Sequence, residues 1–117
     1  MGYYSEVGLC LAPQSAVALQ EAIKNEINDE IRTEVTDLIE SATLHTHTSG
    51  AIGYWWDWMK WYHNFDDVLF ILKFIDSQPY ENFYLIRIGE ESDDVEILGG
   101  YWDNPFPMGL NRNISFH

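Results

Sequence analysis

The sequence predicts an α+β fold: a single-domain, two-layer sandwich in which a mostly antiparallel sheet of about four to five strands packs on two to three helices. Segments rich in β-branched and aromatic residues alternate with stretches of helical periodicity, in the order strand, broken helix, hairpin, helix, hairpin. The 117 residues, 46% of them hydrophobic, suffice for one core but not for two. We therefore expect one domain over residues 1–103 and an irregular C-terminal tail over residues 104–117.

The first part of the chain predicts one strand followed by a broken helix. Residues 3–11 combine Tyr, Val, Leu and Cys, as a strand does. Residues 14–42 carry apolar side chains at spacings of three and four, with Ser15 as the expected N-cap. An unbroken helix of this length would measure about 43 Å, whereas a domain of this size has a radius of gyration of about 13–14 Å. We therefore predict a break at residues 25–29, with Asn28 or Asp29 capping the second helix.

The next segment predicts a hairpin. Residues 43–48, Thr-Leu-His-Thr-His-Thr, are rich in β-branched residues, and Ser49-Gly50 is a turn signal. Residues 51–58 follow as a second strand with four aromatic side chains. A two-residue turn at Ser49-Gly50 would pair His45 with Tyr54.

The remaining elements are a helix and a second hairpin. Asp66 and Asp67 stand where an N-cap and a first-turn acid belong, ahead of a largely apolar run. Two strand-like segments, residues 83–88 and 95–102, flank a charged turn. We expect these two strands to pair antiparallel.

Residues 54–62 form an aromatic block with four tryptophans in seven positions. In a strand these rings must divide between two faces, so some are expected at the surface, where Trp anchors interfaces. We select Trp55, Trp58 and Trp61 as candidate partner contacts. The alternatives are that the rings build the core, or that they form a platform for a carbohydrate or small ligand.

The charge balance is strongly acidic: nineteen Asp and Glu oppose six Lys and Arg, for a net charge of −13. Such a field disfavours nucleic acid and anionic membrane as direct partners and favours basic ones. Within residues 14–42, seven carboxylates face only Lys24 and Arg32. A solvated helix face is one explanation, and a surface that binds a basic partner is the other. The candidate contact residues are Glu30, Glu34, Asp37 and Glu40.

A second acidic cluster lies in the turn between the last two strands. Its candidate contact residues are Glu90, Glu91, Asp93 and Asp94. The spacing lacks the alternating ligands and central Gly of an EF-hand loop, so a solvated turn or a contact with a basic partner explains it better than calcium does. Arg87, in the middle of the preceding strand, is expected to form an ion pair with one of the many carboxylates of the chain.

No catalytic motif is present, and we predict no catalytic residue, no metal site and no cofactor. His45 and His47 have a spacing compatible with two metal ligands, but no third ligand is evident. The only cysteine, Cys10, lies in an apolar run and is expected to be buried. Without disulfides or an apolar run of roughly 18 residues, the cytosol is the expected compartment and no membrane partner is expected.

Three segments together resemble a group of small acidic proteins of bacteriophages and prophages. They are the opening Met-Gly-Tyr-Tyr-Ser-Glu-Val, the aromatic block, and Ile-Arg-Ile-Gly-Glu at residues 86–90 with the following Asp93-Asp94. The resemblance implies an accessory phage gene product that acts in the cytoplasm of the bacterial host. It transfers no functional residue.

The sequence thus predicts a non-enzymatic binding protein that engages a host protein through acidic and aromatic surface. In the sharpest version it mimics nucleic acid, against a nucleic-acid-handling enzyme or a defence system: 13 charges correspond to about 22 Å of duplex. The alternative is a small-ligand or carbohydrate-binding module that uses the tryptophan block. A third hypothesis is a metal-dependent hydrolase that uses the histidines and the acidic turn. No oligomeric state is predicted.

Overall fold

A computed structural model describes residues 2–91, 93–106, 108–110 and 114–116. Within these residues the chain forms three α-helices, seven β-strands and one 3₁₀ turn at Tyr80–Asn82. In chain order the elements are β1 (Ser5–Leu11), α1 (Pro13–Lys24), α2 (Asp29–Ser41), β2 (Thr43–Thr46), β3 (Ile52–Met59), α3 (Asp66–Asp76), β4 (Phe83–Ile88), β5 (Val95–Gly99), β6 (Met108–Leu110) and β7 (Ile114–Phe116).

Five strands form one sheet in the order β2-β3-β1-β4-β5, and every pairing in it is antiparallel. The central strand, β1, is buried along its whole length because both of its edges are paired and both of its faces are covered. The predicted α+β class with an antiparallel sheet is confirmed.

The main core lies between the sheet and the helices. Val7, Leu9 and Leu11 of β1 point to this side, as the period-two alternation of a strand requires. Each helix contributes an apolar stripe. The buried helical residues are Ala16 and Leu19 of α1, Val35 and Leu38 of α2, and Val68, Ile71, Phe74 and Ile75 of α3.

The predicted helix break is confirmed, and Asn28 caps the second helix. Its Oδ1 accepts a hydrogen bond from the backbone N–H of Ile31 at 3.0 Å, which satisfies one of the free donors of the first turn. The prediction of Ser15 as the first N-cap is wrong. Helix α1 begins at Pro13, because a proline at the first helical position forfeits no hydrogen bond. Ser15 is buried and donates from its hydroxyl to Gln78 Oε1 at 2.7 Å.

The pairing of β3 with β1 contains a bulge. Val7 lies opposite Trp56, but Ser5 lies opposite Met59, so β3 has one extra residue in this interval. Trp58 lies within this bulge and has a φ of 59°. This left-handed conformation is unfavourable for a bulky residue, at a cost on the order of 1 kcal/mol.

The first hairpin differs from the prediction in register. His45 pairs with Gly53 rather than with Tyr54, because the loop is longer than two residues and β2 ends at Thr46. In the last hairpin, β5 ends at Gly99 rather than at residue 102. Gly99 has a φ of +86°, and a Cβ there would clash with the backbone oxygen of Phe83. A positive φ of this kind interrupts a strand and favours glycine.

The C-terminal segment packs on the face of the sheet opposite the helices. Phe106 is buried there against Cys10 and Ala51. The sequence predicts irregular chain over residues 104–117, whereas the structure pairs Met108–Leu110 with Ile114–Phe116 as a short hairpin. The burial predicted for Cys10 is confirmed.

Candidate binding surfaces

The four candidate carboxylates of α2 lie on one exposed face of the helix. Helix α2 is amphipathic: Val35 and Leu38 face the core, and the acids occupy the opposite side. In the described part of the chain, no ion pair joins a cation to any of the four, which are Glu30, Glu34, Asp37 and Glu40. The predicted row is therefore exposed and not neutralised by direct contact.

Helix α3 adds carboxylates next to this row. Asp66 and Asp67 form its first turn, where their charge is favourable to the helix dipole. They lie close enough to Glu34 to raise the pKa of its carboxyl, after the larger effect of desolvation and together with Glu30. We call the combined surface the acidic helix face, and its members are Glu30, Glu34, Asp37, Glu40, Asp66 and Asp67.

An aromatic ring lies within this acidic surface. Phe65 lines a groove together with Glu34, Asp66 and Asp67 and is exposed. Its ring also packs on Tyr62, with the two centroids 4.9 Å apart. An acidic and aromatic surface is therefore present, although its ring comes from a residue that sequence reasoning did not select.

Lys24 and Arg32, both among the described residues, form no ion pair with the row. Arg32 forms an ion pair with Asp29 and donates to the backbone oxygen of Glu26 at 2.6 Å. Lys24 and Arg32 line a groove between α1 and α2 together with Asp37 and Glu40. The three helices together carry nine carboxylates and three cations, so the helix layer holds a large share of the net negative charge.

The acidic turn is different, because a mostly buried cation lies beneath it. Arg87, with 14% of its side chain exposed, donates to Asp94 at 2.8 Å and to Glu96 at 3.3 Å. The predicted ion pair of Arg87 is confirmed. Asp94 also accepts a hydrogen bond from the Tyr3 hydroxyl at 2.5 Å. Arg87 and Tyr3 together lower the pKa of Asp94 to about 2. Asp94 therefore has a structural role, and its role as a partner contact stays a prediction.

The other acids of the turn remain at the surface and help to hold the N-terminal segment. Glu90, Glu91 and Asp93 are exposed. Glu90 Oε2 accepts from the backbone N–H of Tyr4 at 2.6 Å, and the backbone N–H of Glu91 donates to the Tyr3 hydroxyl at 3.1 Å. The turn is therefore anchored to the opening residues of the chain.

Trp58 is the most exposed of the three candidate tryptophans, with 60% of its surface accessible. Its ring stacks on Tyr4 with the centroids 5.6 Å apart and an interplanar angle of 8°. The ammonium of Lys60 lies 5.9 Å from the centroid of the Tyr4 ring, within the range of a cation–π contact. We call this feature the Tyr4–Trp58 stack. Its position at a strained bulge makes it a candidate binding feature.

The other two candidate tryptophans are not free anchors. Trp61 is only 4% exposed and packs on Trp56 with the ring centroids 5.4 Å apart, so its prediction as a partner contact is wrong. The alternating pattern of the block did not reveal this, because Trp61 lies beyond the strand and folds back on the core. Trp55 is half-buried, and its Nε1 donates to Glu6 at 2.8 Å.

The described residues offer no metal centre. No group of three or more His, Cys, Asp or Glu side chains among them could hold a metal ion. His47 Nδ1 lies 2.9 Å from the Ser49 hydroxyl instead. Burial raises the pKa of the Cys10 thiol to about 12, which leaves it almost entirely protonated at neutral pH.

Over the described residues, every helix is too short or too polar to cross a lipid bilayer.

Comparison with protein-family models, with curated proteins and with solved structures finds no match to this chain.

Proposed function

We propose that this chain is a non-enzymatic binding protein whose acidic helix face engages a basic surface of another protein. The observation that carries the proposal is the run of exposed carboxylates on two adjoining helices without an ion-paired cation in the described structure. Desolvation, and then mutual repulsion with Asp66, Asp67 and Glu30, raises the pKa of Glu34, so keeping these charges together costs free energy. A cationic partner would relieve that repulsion on binding.

The spacing of the row favours mimicry of one nucleic-acid strand. From Glu30 to Glu40 the helix rises about 15 Å at 1.5 Å per residue. One strand of a duplex carries about four phosphate charges over that distance, and α2 presents four carboxylates there. A whole duplex would present about nine, so α2 alone does not match it. Asp66 and Asp67 add charge beside the row.

This match in charge density favours a nucleic-acid-handling enzyme or a defence-system protein as the partner class. Together with the resemblance to phage and prophage proteins, we propose a phage-encoded protein that acts on a host protein in the bacterial cytoplasm. The exposed Phe65 supplies an apolar contact within the same surface.

The proposal is tested by charge reversal on α2. The variant with Glu34→Lys, Asp37→Lys and Glu40→Lys is used as bait for proteins of a bacterial lysate beside the wild type, at about 50 and about 200 mM salt. We expect the wild-type bait to retain a protein that is lost at the higher salt, since salt screens contacts between surface charges. We also expect added duplex DNA to displace it and the variant bait not to retain it.

The matched control reverses three exposed carboxylates elsewhere on the surface, Asp76, Glu81 and Asp103, with the same total change in charge. This control is expected to retain the protein. Equal loss in both variants would show that only net charge matters, and a complex that withstands high salt and DNA would contradict the proposal.

A carbohydrate or small-ligand module is the second candidate, and the Tyr4–Trp58 stack is the observation that favours it. The Trp58 ring, which is the more exposed ring of the stack, is accessible to a sugar or a base. This candidate predicts a saturable change in tryptophan fluorescence on titration with sugars or nucleotides. The change should be lost in Trp58→Ala and kept in Trp102→Ala, which removes another exposed indole. Absence of a saturable change in the wild type would dismiss it.

A further inference from the structure

Strand β5 lies at the edge of the five-stranded sheet, with β4 on one side and no strand of the described chain on the other. Its pairing with β4 is regular over all five residues, from Ile88 opposite Val95 to Tyr84 opposite Gly99. In a ladder of this kind, alternate backbone N–H and C=O groups point away from the paired strand. The outer side of β5 is therefore a template for a further strand.

β5 lacks most of the features that usually protect an edge. Proteins blunt exposed edges with Lys, Pro, bulges or inward-pointing charges. β5 reads Val-Glu-Ile-Leu-Gly, without Lys, Pro or a bulge. Its only charged residue, Glu96, lies on the helix-facing side of the sheet, where Arg87 neutralises it. The opposite edge, β2, is shorter and mostly polar, with the sequence Thr-Leu-His-Thr.

The exposed side chains of β5 also form an apolar strip. Val95 is 39% exposed and Ile97 is 45% exposed, and both lie on the same face of the strand. They extend the buried pair Ile86 and Ile88 of β4, which lie directly opposite them. The strip faces away from the helices, so it is separate from the acidic helix face.

The charges around β5 indicate what kind of strand would add to it. The turn that leads into β5 presents exposed carboxylates at Glu90, Glu91 and Asp93. A second copy of the chain would bring two molecules of net charge −13 together, which mutual repulsion opposes. A segment that carries Lys or Arg near this turn would instead gain from the same charges.

We propose that the β5 edge binds an extended segment of a partner protein by strand addition. The segment has apolar residues at alternate positions, which contact Val95 and Ile97, and Lys or Arg where it passes the turn. Backbone hydrogen bonds to β5 supply affinity, and the alternating side chains supply specificity. This interaction goes beyond the proposed function and does not depend on the acidic helix face.

The test uses a synthetic peptide of about ten residues, a length that covers one strand. Its sequence alternates Val and Thr and carries two Lys residues at each end. A Lys therefore lies next to the acidic turn whether the peptide binds parallel or antiparallel to β5. Fluorescence anisotropy of the labelled peptide should show saturable binding to the wild-type chain. Ile97→Lys should weaken it by at least about tenfold, because it places a charge on the apolar strip and blocks the edge.

The matched control is Leu44→Lys, which adds the same charge to an exposed apolar position on the β2 edge. It is expected to bind the peptide as the wild type does. A peptide with Pro at its central position should not bind, since it lacks a ladder hydrogen bond. Hydrogen exchange of the β5 amides should slow when the original peptide is bound.

Several outcomes would overturn the inference. The first is that the peptide shows no saturable binding to the wild type. The second is that the peptide binds Ile97→Lys as tightly as the wild type. The third is that Leu44→Lys weakens peptide binding as much as Ile97→Lys does. A wild-type dimer in sedimentation that Ile97→Lys dissociates would show that the edge serves a second copy instead. The α2 charge-reversal variant should still bind the peptide. Failure at β5 therefore leaves the proposed function of the acidic helix face intact, and the reverse also holds.

Discussion

Two acid-rich regions of this molecule have opposite electrostatic environments. In the turn after β4, Asp94 contacts Arg87 and the Tyr3 hydroxyl, and its pKa falls to about 2. On the acidic helix face, desolvation and neighbouring acids raise the pKa of Glu34. The first region is bound to the rest of the fold, whereas the second remains available.

The difference arises from where the few cations lie. Antiparallel pairing of β4 with β5 places Arg87 directly opposite Glu96, with Asp94 in reach across the turn. On α2, Arg32 is turned toward Asp29 and the backbone of Glu26. Acidic clusters of similar composition therefore lie in different electrostatic environments, and the position of one guanidinium decides which.

The largest expected effect comes from removing that guanidinium. Arg87→Met keeps much of the side-chain volume but leaves Asp94 and Glu96 without their cation. We expect the free energy of unfolding at pH 7 to fall by about 2–3 kcal/mol. Urea denaturation of the wild type and the variant measures this free energy of unfolding. Lys73→Met, which removes an equal charge from an exposed site, should change the value by less than about 0.5 kcal/mol, and equal losses would refute the role assigned to Arg87.

A smaller effect is expected at Asp94 itself. Asp94→Asn should cost about 1 kcal/mol at pH 7, because a neutral amide replaces a carboxylate that is about one-third exposed. The folded-state pKa lies below the unfolded value of about 3.9. The stabilisation is therefore complete above that value and is lost as the pH falls from about 4 to about 2. Denaturation at several pH values should show the two proteins converging in this window, and a constant difference down to pH 2 would contradict the assignment.

The smallest effect, and one of opposite sign, is expected at Glu34. Its pKa is raised in the folded state, so the folded state binds the proton more tightly and the charged form opposes folding. Glu34→Gln should therefore raise Tm slightly at pH 7, and the gain should vanish once the pH falls below the titration of the carboxyl. Glu81→Gln, at another exposed site, should leave Tm unchanged. A drop in Tm for Glu34→Gln would show that Glu34 is not under repulsion.

The short-range pattern of the sequence was sufficient to predict part of the fold and part of the candidate sites. The helix break at Asn28 followed from chain length and capping chemistry, and the burial of Cys10 followed from its apolar neighbours. The exposure of the carboxylates on α2 followed from amphipathic spacing, since apolar residues three and four positions apart lie on one helix face and leave the other face to the solvent. These features depend on residues that are close in sequence.

The missed features depend on residues that are far apart. Asp94 is structural because Tyr3, 91 residues away, reaches it across the sheet. Trp61 is buried because the chain after β3 folds back on Trp56. Phe65 lies within the acidic surface because α3 packs beside α2 and places its ring near Glu34. None of these contacts has a periodic signature along the chain.

The sequence by itself determined the α+β class, the excess of negative charge and the division of the long helix. Composition and short-range periodicity act through local backbone preferences and burial of apolar faces. Only the tertiary structure decided which carboxylates are neutralised, which tryptophan reaches the surface and which sheet edge stays open. Those outcomes depend on strand order and on the register between distant segments, and a shift of one residue in register exchanges the two faces of a strand.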